Sequence, residues 1–180
     1  MDVLIVIDMQ EALFRTPRLR SEAVITHINN IASAVRQKGG HVIFIQHNGT
    51  EEEGLFPHSE GWAILPALDV APPDTVIEKS VCDAFYETEL FNTLAQLAPA
   101  RVIVTGCATD FCVDTTIRSA VSHNLNVIVI SDGHTTADRP HLDAQSIVRH
   151  HNWMWENLIT PKAPVRLITA AAFLAELYEC

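Results

Sequence analysis

The chain has no apolar run approaching the ~20 residues that a membrane-spanning helix needs. It is also short of positive charge: 12 Lys and Arg stand against 22 Asp and Glu, for a formal net charge of −10. Nucleic acid and anionic membrane surfaces are met by clustered Lys and Arg, so this balance argues against both as partners. Cysteine is scarce and irregular. Cys82, Cys107, Cys112 and Cys180 form no C-x-x-C pair and no regular framework, which indicates neither a zinc site nor disulfides. Reduced thiols in the cytoplasm are the economical expectation. The apolar run at 3–7 is too short for the core of a secretory signal and has no basic lead, which points to the same compartment. Internal repeats, linkers and low-complexity segments are absent. What is present is a chain of 180 residues, 48% of them hydrophobic. That is long enough to bury its apolar surface without staples, and residues 1–180 are expected to form one domain.

The stretch 101–116 organises the rest. Val102, Ile103 and Val104 form a continuous β-branched run that reads as a strand buried on both faces. Gly106 permits a sharp exit, Thr109 and Asp110 can cap a helix, and Val113, Ile117, Ala120 and Val121 recur at helical spacing. Cys112 thus falls where a strand gives way to a helix, and a helix N-terminus favours a thiolate.

Five further apolar runs, at 3–7, 42–45, 75–78, 127–130 and 165–168, read as strands. Helical patterns separate most of them. One is capped by Ser21 and stopped by Gly39 and Gly40, with Val24, Ile25, Ile28, Ile31, Ala32 and Val35 on one face. Another spans 88–98 with Leu90, Phe91, Leu94 and Leu97 inward, a third opens at Pro140, and a last one starts at Thr169. Residues 49–74 show no periodicity; Glu51, Glu52 and Glu53 mark a solvated, mobile loop of a length that is usually functional. Alternating strands and helices imply right-handed parallel crossovers. The expected fold is α/β, a three-layer α/β/α sandwich around a six-stranded mostly parallel sheet in the order 3-2-1-4-5-6, Rossmann-like. Strands one and four then meet at the switch point, where ligands bind. Asp8 ends strand one, Cys112 follows strand four, and Lys79 ends strand three on the same edge. A carboxylate that takes a thiol proton, an ammonium that steadies both anions and a held thiol form a chemical unit.

Val-Ile-Asp-Met-Gln at 6–10, Ile-Glu-Lys at 77–79, Gly-Cys-Ala-Thr-Asp-Phe-Cys-Val at 106–113 and Asp-Gly-His-Thr-Thr-Ala-Asp at 132–138 together resemble the isochorismatase-like cysteine hydrolases. The resemblance covers essentially the whole chain. It implies that Asp8 is the general base, Lys79 the charge stabiliser and Cys112 the nucleophile of an amidohydrolase that cleaves a C–N bond through a thioester. It further implies a cis peptide at Cys107–Ala108, with the N–H groups of Ala108 and Cys112 forming an oxyanion hole. Members named for isochorismate lack the nucleophilic Cys, so Cys112 argues against vinyl-ether cleavage. The segment from Phe56 to Trp62, with Cys82 to Tyr86, is similar to the streptothricin-hydrolase-like branch. Gln10, Trp62, Phe85, Phe111 and His134 are the candidate substrate-binding residues.

Nicotinamidases in this family hold a metal with Asp-x-His and a further His. Here the corresponding residues are Gln46, His47 and Asn48, so no required metal and no other cofactor is expected, although His47 and His58 could meet in space. His150, His151, Trp153 and Trp155 resemble a zinc or aromatic-cage pattern, but on a helix they point to different faces. The expected partner is a small amide-type molecule, and the protein is expected to be a homo-oligomer, dimer or tetramer. Two other classes remain open: a thiol redox or scavenging protein using Cys112, and an idle binding module on the same fold. The resting place of the proton between Cys112 and Asp8 is also open, because Lys79 lowers a thiol pKa and Asp8 raises it.

Overall fold

The computed structural model describes residues 1–179, so Cys180 lies outside the described residues. Six strands form one sheet: β1 (Asp2–Ile7), β2 (His41–His47), β3 (Thr75–Lys79), β4 (Arg101–Cys107), β5 (Val127–Thr135) and β6 (Arg166–Ile168). Their order is β3-β2-β1-β4-β5-β6 and every pairing is parallel. The helices are α1 (Ser21–Gln37), α2 (Leu90–Leu97), α3 (Asp114–Ser122), α4 (Ala144–Glu156) and α5 (Ala170–Glu179).

Burial on both faces follows from the side-chain alternation of the central strands. In β1, Val3, Ile5 and Ile7 pack on one face with Leu90 and Leu94 of α2, Ile117 and Val121 of α3, and Trp155 of α4. Leu4 and Val6 pack on the other with Val24, Ile28, Ile31 and Val35 of α1 and Phe173 and Leu177 of α5. The apolar stripe read along α1 is therefore its core face, and the strand order is the expected one.

Several ends differ from the sequence reading. Ser21 is the first residue of α1, not its cap: Arg20 precedes it in the left-handed region (φ 51°) without a side-chain cap. α4 starts four residues beyond Pro140, where Asp143 accepts a hydrogen bond from Ser146 N–H and caps the helix. Phe91 is exposed and lies against the His123 ring instead of the core. β5 runs on through His134 to Thr135, because a register irregularity opposite β4 lets His134 pair with Gly106 and Thr135 with Cys107. The 49–74 segment is held, not free. Residues 61–65 run antiparallel to residues 9–12 through Glu11 N–H to Ala63 O, Ala12 N–H to Gly61 O and Leu65 N–H to Met9 O.

One glycine sets the geometry of the switch point. Gly106 has φ 123°, and a Cβ there would lie 2.2 Å from the Ile7 carbonyl oxygen and 2.5 Å from the Ile7 nitrogen. Only a residue without a side chain lets the end of β4 close on the end of β1, directly before Asp8. Gly106→Ala is expected to cost roughly 2 kcal/mol or more, lowering Tm by about 4–8 °C. Thermal unfolding checks this; an unchanged Tm would mean that the two strands can part freely.

Candidate active site

Asp8 leaves β1 in the left-handed region (φ 47°), a conformation that Asp tolerates better than most residues. Its carboxylate is 1% exposed. Lys79, the last residue of β3, is buried as well and places Nζ 2.7 Å from Asp8 Oδ2. The same Nζ lies 3.0 Å from Val81 O, 3.2 Å from His47 Nδ1 and 3.3 Å from Cys112 Sγ. Four neighbours compete for the three protons of one ammonium. An ammonium has no lone pair, so His47 Nδ1 is the acceptor, and the His47 ring is neutral with its proton on Nε2. Apart from the ion pair to Lys79, neither Asp8 oxygen accepts a well-aligned hydrogen bond among the described residues.

Cys112 sits in a π-helical turn, Thr109–Val113, between β4 and α3. The peptide Cys107–Ala108 that enters this turn is cis. Thr109 and Asp110 do not cap the turn, as the sequence had led one to expect. The Thr109 hydroxyl is bonded to His134 Nδ1 at 2.8 Å, and the Asp110 carboxylate accepts from Thr136 Oγ1 and from the Arg139 guanidinium at 2.6–2.9 Å. Both side chains turn away to tie the Cys112 loop to β5 and the segment after it.

Burial dominates the electrostatics. It pushes the Asp8 pKa up, and the Lys79 charge and the Cys112 thiol only partly offset that. The Cys112 thiol is pushed up by burial and by the Asp8 charge, against the pull of Lys79. For Lys79, burial works downward but is outweighed by Asp8 and Cys112, leaving its pKa raised. The carboxyl and the thiol are thus both held toward their protonated forms beside a Lys79 held toward its charged form. A proton passed from Sγ to an ionised carboxylate leaves the net charge of the cluster unchanged, so burial does not oppose such a transfer. The helix-end argument for a resting thiolate loses to desolvation.

A cavity of about 260 Å³ opens on this cluster, walled by Asp8, His47, Cys107, Ala108, Phe111 and Cys112, with Leu13, Arg18, Glu53, Leu55, Cys82 and Arg139 completing it. Of the five residues assigned to substrate from the sequence, only Phe111 stands in this wall, half-exposed beneath the Arg139 guanidinium at 4.9 Å. Gln10 is buried, donating to His47 O and Trp62 O and accepting from His47 N–H. Gln46 also donates to Trp62 O, and Trp62 Nε1 donates to Asn48 Oδ1. Gln10, Gln46 and Asn48 together clasp Trp62 and pin the long loop to the sheet edge. Phe85 is buried against His123. His134 bridges Thr109 and Asn152, and burial lowers its pKa to about 4. These four residues build the scaffold of the cavity instead of its surface. Arg18, Arg139 and Leu55 had drawn no attention, because they lie in segments without periodicity.

The residues that parallel the nicotinamidase metal ligands do not fit a metal. His47 gives Nδ1 to Lys79, His58 packs its ring edge on Trp62 at 5.1 Å, and Gln46 and Asn48 are engaged with Trp62. No group of three or more His, Cys, Asp or Glu stands together for a metal among the described residues. Trp153 is exposed and Trp155 buried, so those two do point to different faces.

One end of the doubly wound parallel sheet thus carries a buried carboxylate and ammonium beside a half-buried thiol. The Isochorismatase domain family matches residues 2–160. The chain belongs to the isochorismatase family. It is 31% identical over 132 residues to an isochorismatase family protein of Bacillus subtilis, covering 72% of this chain and 71% of that one. It is 27% identical over 139 residues to a streptothricin hydrolase of Streptomyces noursei, covering 76% of this chain but spanning only 55% of that protein's length. A crystal structure of an isochorismatase family protein superposes with a TM-score of 0.85 at 30% identity, covering 93% of this chain and 98% of the other. Among the described residues no helix is long and apolar enough to cross a membrane.

The raised Asp8 pKa fixes the sign of a pH profile. If Asp8 takes the thiol proton, as the family resemblance implies, activity is lost as pH falls through a carboxyl pKa above the ordinary value of 3.8. Removing the Lys79 charge removes a group that holds that pKa down. Lys79→Met is expected to move the acid limb of kcat/KM to higher pH. A limb at the same pH in both proteins would show that Lys79 and Asp8 are not coupled.

Proposed function

We propose that the protein is a cysteine hydrolase that cleaves the C–N bond of a small amide, lactam or ureido compound through a thioester. One observation carries the reading: a single ammonium, Lys79 Nζ, touches both the Asp8 carboxylate and Cys112 Sγ beside a small cavity. Asp8 takes the thiol proton as Sγ attacks the carbonyl carbon, and a C–S bond forms. The oxyanion is held by the N–H groups of Ala108 and Cys112. On collapse the C–N bond breaks and Asp8 gives its proton to the leaving amine. Asp8 then draws a proton from a water that adds to the thioester, the C–S bond breaks, and the proton returns to Sγ. The sum is amide plus water giving acid plus amine. Lys79 stays charged throughout and compensates whichever of its two neighbours is anionic. Relatives named streptothricin hydrolase and ureidoacrylate amidohydrolase support C–N hydrolysis as the reaction class. Assembly into a homo-oligomer belongs to the same proposal.

Cys82 in the same wall favours a second reading, thiol redox chemistry with Cys82 resolving an oxidised Cys112. Redox-sensor cysteines are low-pKa thiolates, however, and Cys112 is pushed the other way. The hydrolase reading is therefore the stronger.

Cys112→Ala is expected to lower ammonia or amine release from an amide library by several decades while leaving Tm nearly unchanged. Activity retained in that variant would sink the mechanism. Dialysis against a chelator should leave turnover intact, since His47 Nδ1 is engaged by Lys79 and Gln46 and Asn48 hold Trp62; loss on dialysis with recovery on adding zinc, iron or manganese would contradict the reading.

A further inference from the structure

Arg18 stands apart from the other arginines of the chain. Arg36, Arg101, Arg118, Arg139 and Arg166 each pair with a carboxylate. Arg15, Arg20 and Arg149 are exposed, and none of them lines the cavity that holds Cys112. Arg18 is half-buried, lines that cavity, and has no carboxylate within ion-pair distance among the described residues.

Its position is fixed nonetheless. The next residue, Leu19, donates its N–H to Thr136 O and accepts from Thr135 Oγ1 at 2.6 Å, which ties the segment to the end of β5. Arg18 Nε donates to Leu13 O at 2.6 Å. The base of the guanidinium is therefore anchored from both sides of the cavity mouth, and among the described residues its two terminal amino groups have no acceptor of their own. A planar pair of N–H donors of this kind matches the two oxygens of a carboxylate.

The other charges of the cavity are already balanced. Lys79 answers Asp8, and Arg139 answers Asp110. Glu53 also borders the cavity, but it is exposed and its Oε2 is turned back to Thr50 N–H and Oγ1. With a net charge of −10 the chain repels anions at long range, so any anion it selects must be held by a local cation.

We propose that Arg18 is a specificity residue that binds a carboxylate on the substrate, so that the preferred substrates are small amides carrying a carboxylate away from the scissile bond. The proposal rests on the hydrolase reading of the cavity, but it is tested by binding instead of turnover. Cys112→Ala, which cannot form a thioester, is titrated by calorimetry with succinamate and glutaramate and with their neutral diamides, succinamide and glutaramide. The acids are expected to bind roughly tenfold or more tightly than the diamides. Adding Arg18→Gln, which keeps bulk and a donor toward Leu13 O, should erase that preference by weakening only the acids. Arg18→Lys should retain part of it, since a point charge replaces the fork. Equal binding of acid and diamide, no binding of either acid, or a preference that survives Arg18→Gln would overturn the proposal. The two readings separate cleanly. An acid preference with no ammonia release by the Cys112-intact protein would sink the hydrolase and leave the Arg18 site standing. Ammonia release from neutral amides with no acid preference would do the reverse.

Discussion

The buried ion pair between Lys79 and Asp8 is the constraint on which the rest depends. Two charges taken out of water cost several kcal/mol each, and their mutual attraction offsets this only at close range and with further polar support. Lys79 finds that support in Val81 O, His47 Nδ1 and Cys112 Sγ. Asp8 finds little beyond Lys79 to offset its burial, and burial raises its pKa. A fold selected for stability alone would fill this site with apolar side chains. The pair persists where the carboxylate's unmet demand for a proton is useful, next to a thiol that holds one.

Everything else brings the three groups to one point. Strands β1, β3 and β4 end on the same edge of the sheet, and Gly106 lets β4 approach β1 closely enough for the loop after it to reach Asp8. His134, Asp110 and Arg139 then fix that loop from β5 and the segment following it. The long 49–74 segment folds over the edge because Gln10, Gln46 and Asn48 hold Trp62.

The sequence made the sheet order and the three reactive groups legible for one reason. Strand periodicity locates strand ends, and in a doubly wound sheet strand ends define the ligand crevice. Gln10, Trp62, Phe85 and His134 show where that logic stops. A polar or aromatic residue near the crevice can face the ligand or anchor the wall, and only the hydrogen-bond partners decide. Those partners lie far away in the chain, as Gln10 and Trp62 do. Ser21, Thr109 and Asp110 looked like helix caps from local pattern, yet long-range bonds claimed the last two. Arg18 drew no attention because what sets it apart is spatial: it lines the cavity with no carboxylate within ion-pair distance among the described residues. A resting thiolate was equally plausible from the helix end and Lys79, until burial and Asp8 tipped the balance.

The central claim is that Cys112 carries the acyl group. Mixing the protein with an activated amide and quenching in acid within the first turnover, followed by peptide mass spectrometry, tests it most directly. The account predicts an acyl mass increment on the peptide containing Cys112 that decays as free acid appears, and none on the peptides containing Cys82 or Cys107. Turnover with no increment on Cys112 at any time, or an increment on Cys82 or Cys107 instead, would contradict it.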